Sequence, residues 1–302
     1  MQPAATTPAT PTPTPATAST AYDWAVEFHA FTLQHLVTLT LFVGLMIGAC
    51  WLGRRWLREG GERNGRVPPL ARGALPKPGP GVSRPGEGDT GAGHFRPHPA
   101  RPDPEWRLRL IWAWTTIAWQ TMATVWYLLP RNFDWYESLP LHLCDLAAWV
   151  APFALLTQKR WLRTLLYFWG IGLSTQAFLT PVVEGGHGDF RYWLFFIGHT
   201  QIVGSAIYDV VVLGYRPNLR DWGVVTLLSL AWIVPVTAFN LLMDVNYGYT
   251  GRMTPGGTTV LDYLGPWPWR LGTMFVLTQV LWGVVCVPWV VADRWLFQQS
   301  PE

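Results

Sequence analysis

Cysteine and histidine side chains carry most of the chemistry open to this 302-residue chain, and one short stretch concentrates them. His142, Cys144 and Asp145 stand together, whereas Cys50 and Cys286 lie at the far ends of apolar runs and read as small buried hydrophobes. A thiol becomes a nucleophile once a base takes its proton. His142 and Asp145 are three residues apart and share a helix face, so the carboxylate can orient the imidazole. Cys144 points elsewhere on the same helix, so a base for it must come from another one, and His199 and His35 are the candidates. Each of His35, His142 and His199, taken singly, also fits a hydrogen-bonding group between membrane helices.

Other chemistries are trimmed by the same inventory. Three cysteines without motif spacing make neither a disulfide framework nor a zinc site, and no metal or cofactor is expected. Retinal needs a lysine inside the bundle, but the two lysines, Lys77 and Lys159, fall in loops. Haem would need histidines paired across two helices, a spacing that is absent. The Gly-x-Ser-x-Gly nucleophile elbow is also absent. No basic stripe lies on a soluble domain, so nucleic acid is not an expected partner.

The elements that must position these residues are apolar runs. Half of the chain is apolar and 14% is charged, against about a quarter charged in soluble domains. The twenty tryptophans cluster near the ends of the runs, where the indole ring meets both lipid and water. Runs long enough for a hydrocarbon core of about 30 Å occur at 28–52, 108–129, 139–158, 163–181, 190–213, 222–243 and 268–292. The expected architecture is therefore all-α, a polytopic membrane bundle of about seven transmembrane helices. Residues 1–27 read as a disordered Thr/Pro/Ala-rich extracytoplasmic tail without a signal peptide. The membrane domain spans 28–292 and contains a flexible cytoplasmic loop, 53–107, whose Gly/Pro/Arg-rich stretch lacks apolar periodicity; 293–302 form a short cytoplasmic tail. The block Leu264–Trp269 reads as an interfacial anchor that starts the last helix.

Basic residues fall unevenly about these spans. Of the 22 lysines and arginines, 18 lie on the side of the first, third and fifth loops and the C-terminus, leaving Arg131, Arg191, Arg252 and Arg270 opposite. This asymmetry places the C-terminus inside and the N-terminus outside. Polar residues within the spans then fall in one layer. His35, His142, Cys144, Asp145, Gln176, His199 and Asn240 come from five helices and lie roughly 5–14 Å below the outer surface at 1.5 Å per residue. Polar groups at such depth face a bundle interior or a cavity, so a site opening toward the outer leaflet is expected. An amphiphile within the bilayer, a membrane lipid, is the partner such a site suits. Asp209 lies in the inner half of its helix, with no partner identifiable from the sequence.

Particular blocks carry a family likeness. They are Phe31–His35 (FTLQH), Leu139–Ala147 (LPLHLCDLA), Tyr167–Pro181 (YFWGIGLSTQAFLTP), Gly198–His199, Asn246–Tyr249 (NYGY) and Leu261–Trp269 (LDYLGPWPW). In this order they resemble the YwaF-type bacterial integral membrane proteins, related to the animal transmembrane protein 164 family. The 59–104 stretch is longer than that family usually carries. The resemblance implies a seven-helix protein of the bacterial plasma membrane. The animal branch is associated with lipid acyl transfer on a cysteine, which implies Cys144 as nucleophile, His199 as base and a phospholipid substrate. His35, His142, Asp145, Gln176 and Asn240 would then line the substrate site. The alternative is a transporter, receptor or structural protein that binds a small molecule without chemistry.

The basic-residue asymmetry yields a direct expectation for topology. In intact cells a cysteine placed by Thr10→Cys should react with an impermeant maleimide and one placed by Thr90→Cys should not. The reverse labelling pattern overturns the orientation.

Overall fold

The computed structural model describes residues 28–63, 104–252 and 263–298, apart from 29, 182 and 184. The expected N-terminal tail and the 64–103 stretch of the expected loop lie outside the described residues. Seven helices are present among the described residues: α1 (Leu33–Arg63), α2 (Pro104–Leu128), α3 (Leu143–Thr157), α4 (Arg160–Leu165), α5 (Phe190–Val211), α6 (Leu219–Met243) and α7 (Trp269–Gln298). Both ends of the expected first loop are helical, since α1 continues to Arg63 and α2 begins at Pro104.

Four of these helices are long and apolar enough to cross a membrane: α1 over Leu33–Gly60, α5, α6, and α7 over Trp269–Ala292. Their outward surfaces agree with that environment. Val276, Val280 and Val284 of α7 are each more than half exposed, as are Leu36, Val37 and Leu41 of α1. Apolar faces of that extent belong in lipid rather than water. The protein is an all-helical membrane-type protein.

α2 is continuous, whereas two of the expected spans depart from regular helices, each for a local reason. α3 begins four residues later than its apolar run, because Pro140 precedes it and the Leu139 N–H is spent on the Tyr247 hydroxyl at 3.1 Å. Its 15 residues rise about 22 Å. The run 163–181 is not one helix. α4 passes into a π turn at Leu166–Ile171, and a 3-10 turn follows at Ser174–Phe178. Gly170 and Gly172 weaken helical preference there and admit close neighbours. A Cβ on Gly170 would stand 2.8 Å from the Ala206 Cβ, and one on Gly172 2.8 Å from the Trp282 ring.

α3 is the central helix, packed against α2, α5 and α4. Its inner face is Ala147, Ala148, Ala151 and Ala154, all buried. Small residues at that spacing let helix backbones approach closely, as membrane packing requires when water supplies no hydrophobic drive. The contacts order the helices. Ala147 and Ala148 share a cluster with Ile202, Ala151 and Ala154 with Ala206, and Leu155 with Tyr208 and Val212. α3 and α5 therefore run side by side in the same direction, with a constant offset in register.

Charges gather at the end of the bundle where α3 and α5 finish. Arg163 Nε donates to both oxygens of Asp209 at 3.0 and 2.9 Å, which supplies the partner the sequence did not reveal. Arg160 makes a two-pronged contact with Asp221, at 2.9 and 2.6 Å. Tyr208 donates to buried Glu105 at 2.9 Å. Buried carboxylates persist only when paired in this way.

Two glycine substitutions test the packing from opposite sides. Gly170→Ala forces the π turn away from Ala206 and should lower stability by about 2 kcal/mol. Gly198→Ala, on α5 with nothing within 4 Å of the added Cβ, should be neutral or slightly stabilising. Thermal unfolding in detergent compares them, and equal effects would show that the α5 contact at Gly170 is not tight.

Candidate functional site

Cys144 occupies the second position of α3, after the N-cap residue His142. It is partly accessible, whereas Cys50 and Cys286 are buried. The first N–H groups of a helix lack partners one turn back, although that of Asp145 is taken by the His142 carbonyl at 3.1 Å. The thiol sits at the helix end where backbone donors favour a negative charge. Asp145 plays a different part from the one its spacing offers. Its carboxylate accepts the His142 backbone N–H at 3.0 Å and closes the helix start. The His142 imidazole instead stands near Tyr247 and Tyr249, at ring-centroid distances of 5.2 and 5.7 Å, and its Nδ1 accepts weakly from the Gly248 N–H at 3.4 Å.

His199 lies on the face of α5 that meets α3. It shares a stripe with Ile202 and Ala206, three and seven residues on, and both pack in clusters with α3. Extending the α3–α5 register outward by one turn brings His199 level with Cys144. The His199 Nδ1 lies 2.8 Å from the Phe195 carbonyl oxygen. A carbonyl only accepts, so the proton is on Nδ1 and Nε2 carries the lone pair. The ring lies tilted against Phe195 at 4.3 Å and edge-on to Phe178 at 6.4 Å.

His35 is committed elsewhere. Its Nδ1 accepts the Phe31 N–H at 2.9 Å and its Nε2 donates to the Phe178 carbonyl at 2.9 Å. Both ring nitrogens hold the start of α1 to the 3-10 turn, and the ring is fully buried. Of the two histidines that sequence offered as a base, only His199 retains an open nitrogen.

The other expected site residues divide. Gln176 is exposed and its side chain makes no hydrogen bond among the described residues, so it stands apart from the buried groups. Asn240 is buried, and all its side-chain bonds go to the following loop. Its Nδ2 donates to the Tyr247 carbonyl at 2.7 Å and to Thr250 Oγ1 at 2.9 Å, and its Oδ1 accepts the Tyr247 N–H at 2.9 Å. The loop so pinned carries two tyrosines that sequence reasoning left out of the site. The Tyr247 hydroxyl bridges the Leu139 N–H and the Trp135 carbonyl, at 3.1 and 2.8 Å. Tyr249 sits beside His142 and within electrostatic reach of Cys144 and Asp145. Burial above all, with Cys144, Glu137 and Asp145 as neighbours, pushes its hydroxyl up to about 12, so it is a neutral donor. Its φ of 62° is left-handed, a strained state for a bulky residue that only a well-held loop sustains. Tyr127 of α2 is likewise within electrostatic reach of Cys144 and Asp145. The NYGY block was the available signal for Tyr249, whereas Tyr127 carried none.

The anchor block behaves in two ways. Trp269 is 77% exposed at the start of α7, as an interfacial ring should be. Trp267 turns inward, its Nε1 donating to the Thr250 carbonyl at 3.3 Å. No group of three or more His, Cys, Asp or Glu side chains that could hold a metal occurs among the described residues.

The role of Asn240 is separable by measurement. Asn240→Ala leaves buried backbone groups of Tyr247 unpaired and should lower stability by about 2 kcal/mol, seen as a lower unfolding midpoint in detergent. A stability equal to wild type would make Asn240 a ligand-facing residue instead.

Comparison with curated proteins and with solved structures finds no match. The TMEM164 family model matches residues 30–286, a range that holds Cys144, His199, Asn240 and Tyr249 and is compatible with the YwaF-type grouping. From the entry of α1 to the middle of α7, this chain belongs to the TMEM164 family.

Proposed function

We propose that this protein is a cysteine-dependent acyltransferase or hydrolase acting on phospholipid in the outer leaflet of a bacterial plasma membrane. The bundle then crosses the bilayer seven times, with α2, α3 and the broken α4 element as the further spans. The observation that carries the reading is the level of Cys144 with His199. Cys144, the least buried of the three cysteines and near a helix start, stands by register at the level of His199 on α5, whose open nitrogen is Nε2.

The chemistry follows from those atoms. His199 Nε2 takes the Cys144 proton while sulfur attacks the ester carbonyl carbon. The N–H groups at the start of α3 oppose the oxyanion. As the tetrahedral intermediate collapses, the C–O bond to the glycerol breaks and the imidazolium returns its proton to the leaving alkoxide. A second alcohol, or water, then attacks the thioester, His199 takes its proton, and sulfur leaves and is reprotonated. His142 and the neutral Tyr249 hydroxyl flank the reacting centre, and Asp145 acts by holding the helix start in place.

A second reading, a non-enzymatic protein that binds a small molecule or supports the membrane, has its own observation. His35, Asp145 and Asn240 spend their polar atoms on backbone groups, as structural residues do.

Turnover of a labelled phospholipid or lysophospholipid by purified protein in nanodiscs separates the two. Cys144→Ala and His199→Ala should each lower turnover by at least roughly 10³-fold, and the double variant should be little worse than either. Cys144→Ser should also be nearly inactive, and Cys144→Ala should still fold. A thiol-directed haloacetamide should label Cys144 far faster than Cys50 or Cys286. Turnover that survives Cys144→Ala ends the nucleophile assignment. Absence of turnover across a broad lipid panel, with equal labelling of the three thiols, moves the reading to the second.

A further inference from the structure

At the end of the bundle opposite Cys144, α1 and α5 border an open groove of about 770 Å³. Its walls are apolar, with Met46 and Ile47 from α1 and Ile207 and Val211 from α5, and its mouth carries Arg54, Arg55 and Arg58. The length of α1 sets where that mouth lies. From Leu33 to Arg54 the helix rises about 32 Å, close to the hydrocarbon thickness of about 30 Å. The arginines therefore emerge where lipid phosphates lie. Trp51, 61% exposed one turn earlier, marks the interface, with the Arg55 guanidinium 5.5 Å from its ring centroid.

The charges at the mouth are not equivalent. Arg55 pairs with Glu59 at 2.8 Å, and so is partly neutralised. Arg54 uses Nε to hold the Val211 carbonyl at 3.1 Å, which fixes it at the groove's edge and leaves its other N–H groups outward. Arg58 pairs with no carboxylate among the described residues. Arg54 and Arg58 are four residues apart on one helix face, so two guanidinium groups flank one point at the head of an apolar channel. Guanidinium pairs of this kind match a phosphate diester, while the channel below matches a hydrocarbon chain and would be wasted on a free anion.

We propose that this groove binds one anionic phospholipid, its phosphate between Arg54 and Arg58 and an acyl chain along the α1–α5 seam. The site is distinct from Cys144 and stands whether or not the protein is an enzyme.

The test is lipid retention, read by native mass spectrometry of the full chain released from nanodiscs holding equal phosphatidylglycerol and phosphatidylcholine. Wild type should retain phosphatidylglycerol preferentially. Arg54→Gln and Arg58→Gln should each lower that preference roughly fivefold. Ile47→Trp, which fills the channel and keeps the charges, should lower phosphatidylglycerol retention too, and inorganic phosphate should not displace the lipid. Equal retention of the two lipids, or a preference unchanged in the double arginine variant, overturns the proposal. So does displacement by inorganic phosphate, which would assign a free-anion site, or a dimer mass in place of the lipid adduct, which would assign the groove to a second copy. Should Ile47→Trp fail to fold, the surface arginine variants decide alone.

Discussion

The alanine face of α3 governs much of what this bundle does. In lipid, a helix gains little from burying apolar surface against another helix, so close backbone approach and the dispersion contacts it allows must hold the pair together. Ala147, Ala148, Ala151 and Ala154 make that approach possible, with Ala206 and Gly170 completing it from α5 and the π turn. A larger side chain at Ala151, Ala154 or Ala206 would push α3 away from α5, and one at Gly170 would push the π turn away from α5. The register between the two helices, and with it the level of Cys144 against His199, is a consequence of this contact.

The two ends of the bundle solve different problems. Where α3 and α5 finish, buried or partly buried carboxylates of Glu105, Asp209 and Asp221 are held by Arg109, Arg163 and Arg160, so charge is balanced locally. Where α3 begins, hydrogen bonds to backbone groups carry the order instead. Asn240 holds Tyr247, Tyr247 holds the chain leading into α3, and Asp145 closes the helix start. The left-handed Tyr249 sits at the edge of that network, next to His142. Strain of this kind persists where neighbours over-determine the backbone, and here they do so within reach of the accessible thiol.

Family membership and geometry bear on different parts of the account. The TMEM164 match covers the helices and the loop that surround Cys144, and so supports the membrane character of the whole. The chemistry proposed for the site rests on local features: which imidazole nitrogen is open, which cysteine is least buried, and where it stands in its helix.

Helix content, the approximate position of the long spans and the burial of Cys50 and Cys286 were legible in the sequence, because each depends on local composition. Apolar runs at 28–52, 190–213, 222–243 and 268–292 reappear as α1, α5, α6 and α7, with α1 starting five residues later and running eleven further than its apolar run. The late start of α3 and the π turn in place of a regular fourth helix were not legible, since they answer to Tyr247, Ala206 and Trp282, residues distant in sequence. The same holds for the site. Spacing alone left His35 and His199 equal and allowed Asp145 to orient His142. Only the tertiary structure decided between them, because a side chain's hydrogen-bond partners come from whatever the fold brings near. His35 was claimed by Phe31 and Phe178, Asp145 by a backbone N–H, and of the two candidate bases only His199 kept a nitrogen to spare.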